Sequence, residues 1–186
     1  MKKEAFLQAI SQLKELLDSL DFELIRSISE NIALSIKNGG KVLICGNGGS
    51  AADAQHMAAE FVNRFLKERK PLPAIALTVD SSVLTSIAND YDFNDVFAKQ
   101  VEAIGNEGDI LIGISTSGNS ENVFNALSVA KDKGMKTIGF LGKDGGKILP
   151  LCDYAIVVKS NSTPRIQEIH EFVMHTICQM VEDELF

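Results

Sequence analysis

Five short apolar runs, each bounded by turn residues, divide the sequence after residue 40. They read KVLICG (41–46), PAIALT (73–78), DILIGIS (109–115), MKTIGFL (135–141) and YAIVVKS (154–160). Nearly continuous apolar runs of this length are typical of strands that a parallel sheet buries on both faces. We therefore predict five parallel strands.

Helical patterns separate most of these runs. AADAQHMAAEFVNRFLKER (51–69) follows the first run, SSVLTSIAND (81–90) and NDVFAKQVEAIG (94–105) follow the second, ENVFNALSVAKDKG (121–134) follows the third, and residues 163–186 close the chain. The segment 142–153 is too short and glycine-rich for a long helix. This alternation predicts right-handed βαβ units in a three-layer α/β/α sandwich with a five-stranded, flavodoxin-like parallel sheet.

Residues 1–38 predict two helices ahead of the sheet. The second helix is expected from an N-cap at Asp21 to Lys37, before the stop signal Asn38-Gly39-Gly40. The first helix repeats apolar residues at helical spacing, at Phe6, Ile10, Leu13 and Leu17. With 186 residues and 45% hydrophobic content, we expect a single domain over 1–186, with 1–38 as an N-terminal helical extension.

Charge and cysteine content exclude several classes of function. The net charge of −7 argues against non-specific nucleic-acid binding, and it means that any anionic substrate needs a local cradle. No run approaches the roughly 18 apolar residues of a membrane span, and polar interruptions in the first helix argue against a signal peptide. The three cysteines are widely spaced and contain no CxxC pair, which suits a reducing cytoplasm.

The first candidate site is the loop Asn47-Gly48-Gly49-Ser50, which joins the first predicted strand to a helix. Glycines let backbone N–H groups approach a ligand closely, and a helix N-terminus favours anions. The loop lacks the GxGxxG and Walker patterns, so dinucleotide or nucleoside triphosphate binding is not supported. The alternative is a tight turn without a ligand.

The second candidate site is ISTSGNSENV (114–123), which follows the third predicted strand. A hydroxyl-rich loop at a helix N-terminus can hold a phosphate without a cationic side chain. The hydroxyls belong to Ser115, Thr116, Ser117 and Ser120. The alternative is that Ser120 and Glu121 only cap the following helix.

The third candidate site combines polar residues of two helices. His56 and Glu60 lie one turn apart after the glycine loop, a spacing that helical zinc sites use. Gln167, Glu171 and His175 lie on one stripe of the final helix. Two such helices could supply four ligands to one metal, from His56, Glu60, Gln167 and His175. The alternative is that His56 and Glu60 form an ordinary polar pair.

Three further residues are expected to have structural roles. His170 is about 60° away from Gln167 around the helix, so we expect a surface group or a group behind the ligands. Cys45 lies in a predicted buried strand, and Cys178 is expected to pack between helices.

Several segments together resemble one known family. In chain order they are GKVLICGNGGSAADAQHMAAEF, NDYDFNDVF, DILIGISTSGNSENV, GMKTIGFLGKDGGK and RIQEIH. They resemble the sugar isomerase (SIS) domain family and, within it, the bacterial phosphoheptose isomerases. The similarity extends over nearly the whole chain, from the two N-terminal helices to the closing helix.

The resemblance implies a cytoplasmic aldose–ketose isomerase that converts sedoheptulose 7-phosphate to D-glycero-D-manno-heptose 7-phosphate through an enediol. It also implies one zinc ion per subunit and a homotetramer with active sites at subunit interfaces. By their match to the family's motifs, the implied zinc ligands are His56, Glu60, Gln167 and His175, and the acid/base residues are Glu60 and His175. The implied substrate contacts are Asn47, Gly48, Gly49, Glu60, Arg64, Asn89, Asp90, Ser115, Thr116, Ser117, Ser120 and Gln167.

Two questions stay open at this level. Gln167 and His175 are separated by a rise of about 12 Å in a straight helix, so one metal reaches both only with an irregular helix start or a second subunit. SIS domains also occur as non-catalytic partner-binding proteins, one of which binds a bacterial replication initiator, and as isomerases of other sugar phosphates.

Overall fold

The computed structural model describes residues 3–186, and its secondary structure alternates as the apolar runs predict. The strands are β1 (Val42–Gly46), β2 (Ala74–Ala76), β3 (Ile110–Ser115), β4 (Lys136–Gly142) and β5 (Tyr154–Val158). The helices are α1 (Lys3–Asp18), α2 (Phe22–Lys37), α3 (Gly49–Val62), α4 (Ser81–Asp90), α5 (Ala98–Ile104), α6 (Glu121–Asp132) and α7 (Thr163–Leu185). Short 3₁₀ helices cover Phe93–Asp95 and Gly146–Leu151.

The sheet is parallel throughout and has the strand order β2-β1-β3-β4-β5. This is the flavodoxin-like order, so the predicted fold class is confirmed. β1 and β3 are buried along their whole length, which explains why both read as continuous apolar runs.

Two hydrophobic layers cover the two faces of the sheet. Ile44 and Ile112 point to the layer formed with α2, α3 and α7, whereas Leu43 and Leu111 point to the layer formed with α5 and α6. The alternation follows from the period of two along a strand. The two helices that follow β1 and β3 therefore lie on opposite faces.

The predicted start of α2 is confirmed at atomic detail. The Asp21 carboxylate accepts hydrogen bonds from the backbone N–H groups of Glu23 and Leu24, at 2.9 and 3.1 Å. This N-cap satisfies donors that would otherwise lack helical partners.

The predicted helix over 51–69 is wrong beyond Val62. Residues 63–73 leave the helix because their polar groups have better partners elsewhere. Buried Glu182 of α7 accepts backbone N–H groups from Phe65, Leu66 and Lys67, at 3.1, 2.8 and 2.7 Å. Arg69 pairs with Glu182 at 2.8 Å, and both side chains are almost fully buried. No local pattern predicts this distant pair.

Of the two positions expected for His170, the surface position is wrong, and a place behind the ligands stays a prediction. Its ring is buried against Phe140, and its Nε2 lies 3.0 Å from the Leu141 carbonyl oxygen. Burial lowers the pKa of His170 to about 4, although the Leu141 contact acts in the opposite direction. The ring therefore packs as a neutral group behind the carboxyl end of β4.

Cys45 and Cys178 are buried as expected. Burial raises the pKa of each thiol to about 12, so neither provides a reactive thiolate. Within residues 3–186, none of the helices is long and apolar enough to span a membrane.

Candidate active site

The candidate site begins where β1 and β3 lie side by side. The helix after β1 packs on one face of the sheet and the helix after β3 packs on the other. Such a reversal opens a crevice at the carboxyl ends of the strands, where ligands bind in open α/β sheets. Both loops that the sequence singles out therefore border one crevice.

The loop after β1 depends on two glycines. Gly48 has φ +58° and ψ −120°, a conformation that disfavours any side chain. A Cβ on Gly49 would collide with the amide of Gln167, which enters from α7. No side chain caps the start of α3. The N–H groups of Ser50 and Ala51 donate to the carbonyl oxygens of Asn47 and Gly48, so within residues 3–186 the Gly49 N–H is the donor of this first turn that remains available to an anion.

The serine hydroxyls of the loop after β3 bond to one another. Ser115 Oγ lies 2.9 Å from Ser120 Oγ and 3.4 Å from Ser117 Oγ. Ser120 is the N-cap residue of α6 by position, but its side chain makes no capping hydrogen bond. The capping alternative therefore does not describe this serine, whose hydroxyl belongs to the serine cluster.

A pair of asparagines joins the two loops across the crevice. Asn47 Nδ2 donates to Asn122 Oδ1 at 2.8 Å, and Asn122 Nδ2 donates to Asn47 Oδ1 at 2.9 Å. Asn122 is buried in the first turn of α6. The sequence analysis did not identify Asn122. The one available signal was that Asn122 follows the serine loop directly, in the first turn of a helix.

The polar residues of α3 and α7 converge on His56. His56 Nε2 lies 3.2 Å from Glu60 Oε1 and 3.4 Å from His175 Nε2. Ligand atoms at 2.0–2.1 Å from a tetrahedral zinc lie about 3.3 Å apart, so these two separations from His56 Nε2 fit zinc, and so does the donor set. The His175 ring is also stacked on Phe65, with centroids 5.6 Å apart.

Two more carboxylates border this cluster. Glu171 Oε1 lies 3.6 Å from His56 Nδ1. One possible ligand atom from each of His56, Glu171 and His175 lies within 4.8 Å of the other two. Asp53 Oδ2 is buried and has no hydrogen-bond partner within residues 3–186. Burial, together with the charge of Glu171, raises the pKa of Asp53 to about 6, while His56 acts in the opposite direction. Glu171 shares the stripe of Gln167 and His175, but sequence reasoning assigned it no role.

The remaining predicted site residues lie outside the His56 cluster. Gln167 is at the glycine loop, against Gly49, about 10 Å before His56 when measured along α3. Arg64 is exposed just after α3, where its Nε lies 3.7 Å from Glu68. Asn89 and Asp90 are exposed at the end of α4, and Asn89 donates to Asp90 at 2.8 Å. Metal binding by Gln167 and substrate contacts by these residues stay predictions.

The site thus consists of a glycine loop, a serine cluster and a His/Glu cluster at the carboxyl edge of a flavodoxin-like parallel sheet. The family model described as "SIS domain" matches residues 5–142, and the chain therefore belongs to the SIS domain family.

Relatives narrow this class further. The phosphoheptose isomerase of Clostridium acetobutylicum is 56% identical over 185 residues, covering 98% of this chain and 94% of its own. That of Aliarcobacter butzleri is 62% identical over 151 residues, covering 81% and 80%. The solved phosphoheptose isomerases of Neisseria gonorrhoeae and Francisella tularensis are 43% and 40% identical, with TM-scores of 0.90 and 0.91. Each alignment covers 97% of this chain. The share of the solved chain that is covered is 96% for the N. gonorrhoeae protein and 95% for the F. tularensis protein.

Proposed function

We propose that this chain is a phosphoheptose isomerase that converts sedoheptulose 7-phosphate to D-glycero-D-manno-heptose 7-phosphate through an enediol. This is the first step of bacterial nucleotide-activated heptose biosynthesis, feeding lipopolysaccharide core or capsule. The observation that carries the proposal is the convergence of Glu60 and His175 on His56, on the helices that border the hydroxyl-rich crevice. The high identity to phosphoheptose isomerases over most of the chain supports the substrate.

The crevice is proposed to hold the sugar phosphate through short-range contacts. The chain carries a net charge of −7, so its global field does not attract an anion. N–H groups at the starts of α3 and α6 and the loop hydroxyls offset this locally. The proposed contacts are Asn47, Gly48, Gly49, Ser115, Thr116, Ser117, Ser120 and Gln167, with Arg64, Asn89 and Asp90 extending the site.

Glu60 and His175 are proposed to move the protons. An aldose–ketose isomerisation removes a proton from the carbon next to the carbonyl and returns a proton at the neighbouring carbon. Glu60 would transfer this proton between C1 and C2, and His175 would transfer protons at the sugar oxygens. The Glu60 side chain is 24% exposed, so it is sheltered but reachable from the crevice.

Zinc is the proposed metal, held by His56, Glu60 and His175, with Gln167 as the fourth protein ligand. When bound, a zinc ion supplies positive charge that polarises a carbonyl. A Glu60 or His175 whose lone pair binds the metal is a weaker base. The proton-transfer roles would therefore require that at least one of these two side chains is free of the metal when it acts as a base.

Homotetramer formation is also proposed. Phe6, Leu7 and Ile10 of α1 are each about half exposed, and they form an apolar stripe that lacks a partner within residues 3–186. Exposed apolar surface of this kind commonly marks a protein interface. A neighbouring subunit would cover it and bring further residues to the site. We further propose that residues 1–186 form a single domain and that the protein is cytoplasmic, a compartment in which its free cysteines would stay reduced.

The experiment is turnover of sedoheptulose 7-phosphate, with and without a chelator. The wild-type chain should form the aldoheptose phosphate, and chelation should slow the reaction. Glu60→Gln and His175→Gln, matched in metal content to wild type, should each lose about 10²–10⁴-fold in kcat. Glu30→Gln, which alters a side chain that is 52% exposed and pairs with Arg26 of the same helix, is the control.

Near-normal turnover in both active-site variants would sink the acid/base assignment. Absence of product from the wild-type chain in either condition would favour a non-catalytic SIS domain that binds a partner.

A further inference from the structure

The imidazole of His56 has a polar neighbour at each nitrogen. Nε2 faces Glu60 and His175, at 3.2 and 3.4 Å. Nδ1 faces Glu171 Oε1, at 3.6 Å, and this carboxylate comes from α7 rather than from the helix that carries His56. The ring thus lies between the carboxylates of Glu60 and Glu171, and a ligand atom of Glu171 also lies within 4.8 Å of one of His175.

We propose that Glu171 is a positioning residue for His56. Its carboxylate accepts a hydrogen bond from the Nδ1–H group, which leaves the lone pair of Nε2 directed at the metal site. Metal-binding histidines commonly donate their second N–H to a carboxylate, because this fixes both the tautomer and the orientation of the ring. The inference rests on the proposed function, since it requires the metal to bind His56 through Nε2.

The Glu171 side chain has the freedom that this role requires. The separation of 3.6 Å is longer than a hydrogen bond, and the side chain is 51% exposed, so a small rotation can close the gap. The carboxylate also lies one helical turn before His175 on the same face of α7, so both groups contact the same ring from one helix.

Asp53 is less suited to the role. It lies three residues before His56 on α3, and its buried Oδ2 has no partner in the described part of the chain. Among residues 3–186, the carboxylate that lies within 4.0 Å of His56 Nδ1 is that of Glu171, and Asp53 is farther away. Burial and the neighbouring charge of Glu171 raise the pKa of Asp53, so this carboxyl is the weaker charged acceptor.

The test measures zinc affinity of the full chain by competition with a chelating dye. Glu171→Gln should bind Zn²⁺ about 10–100-fold more weakly than wild type. Glu184→Gln is the matched control, since Glu184 is on the same helix, is 52% exposed and pairs with Lys37. Glu171→Asp, which keeps the charge on a shorter side chain, should lose less affinity than Glu171→Gln.

A second measurement separates positioning from direct metal binding. With Co²⁺ in place of Zn²⁺, the visible absorption of Glu171→Gln should match that of wild type, because Glu171 does not touch the metal. Unchanged zinc affinity in Glu171→Gln overturns the proposal, and so does a Co²⁺ spectrum that reveals a lost ligand. A wild-type chain that binds no zinc instead overturns the metal site of the proposed function, and this inference with it.

Discussion

Single polar residues in this chain owe their roles to contacts that are distant in sequence. His170 lies five residues before His175 on the same helix, yet one is sealed against Phe140 and the other faces His56. The difference comes from what packs against each face of α7. Burial of a neutral imidazole has a thermodynamic consequence, because such a ring resists protonation.

The burial of His170 should make the stability of the protein depend on pH. Its pKa is about 4 in the folded chain and near the ordinary value of 6.5 when unfolded, so the unfolded state binds more protons in between. Well above the ordinary histidine pKa, the ring is neutral in both states, so its titration does not reduce the free energy of unfolding. That free energy falls by up to about 3 kcal/mol as the pH drops toward the folded-state value.

Urea unfolding at several pH values across this window measures the effect. His170→Gln keeps a donor for the Leu141 carbonyl but cannot titrate, so its stability should fall less with acid than that of wild type. Parallel pH profiles for the two proteins would contradict the argument.

Contacts between elements hold the site in place. The reciprocal amide pair joins the loop after β1 to the start of α6, on the two sides of the crevice. A second tie, from Glu182 and Arg69, fixes the segment that leads from α3 to β2. Each of these two contacts holds a loop segment in one position relative to the helix that it contacts.

Removal of the Asn122 amide should weaken substrate binding more than it slows chemistry. Asn122→Leu leaves the Asn47 amide without its partner, and the cost of an unpaired amide corresponds to about a tenfold rise in KM. The value of kcat should change less, because Glu60 and His175 are on other elements. Asn125→Ala, which removes from the same helix a partly exposed amide that donates to the Asn94 carbonyl, is the control for the kinetic assay. An unchanged KM in Asn122→Leu would refute the bridging role.

Loss of the Glu182 charge should destabilise the whole chain. Burial alone would raise the pKa of Glu182, but three backbone N–H groups and Arg69 outweigh it and lower the pKa. Breaking such a buried pair costs about 3–5 kcal/mol, so Glu182→Gln should unfold at clearly lower urea concentration. Glu184→Gln, which breaks an exposed pair with Lys37, should cost no more than about 1 kcal/mol. Equal losses in the two variants would rule out this account.

At the scale of the whole molecule, the single chain leaves part of its apolar surface uncovered. Leu13, Leu16 and Leu17 of α1 pack against the core, whereas Phe6, Leu7 and Ile10 of the same helix are about half exposed. The N-terminal half of α1 therefore keeps apolar side chains partly exposed to solvent, whereas its C-terminal half packs on the core.

Polar substitution of this stripe should disrupt the proposed tetramer. Phe6→Ser combined with Ile10→Ser removes the apolar contact area, so light scattering should show smaller assemblies than for wild type. Leu34→Ser is the control, because Leu34 is 56% exposed but lies on α2. A double variant that remains tetrameric would place the interface elsewhere.

Fold class and most element boundaries were predictable because they depend on local patterns. Buried parallel strands need continuous apolar runs, and caps such as Asp21 act within three residues. The loops of the crevice were predictable for the same reason, because a parallel strand followed by a helix N-terminus places its connecting loop at the sheet edge. The motifs also predicted His56, Glu60 and His175 as candidates for one site.

Only the tertiary structure decided which of these residues meet, and which unexpected residues join them. His56 and His175 are 119 positions apart, Asn47 and Asn122 are 75, and Glu182 and Phe65 are 117. The end of α3 at Val62, the burial of His170 and the place of Glu171 beside His56 all depend on such contacts. A local pattern carries the period of an element, but it carries no information about which side chains the packing of two distant helices brings together.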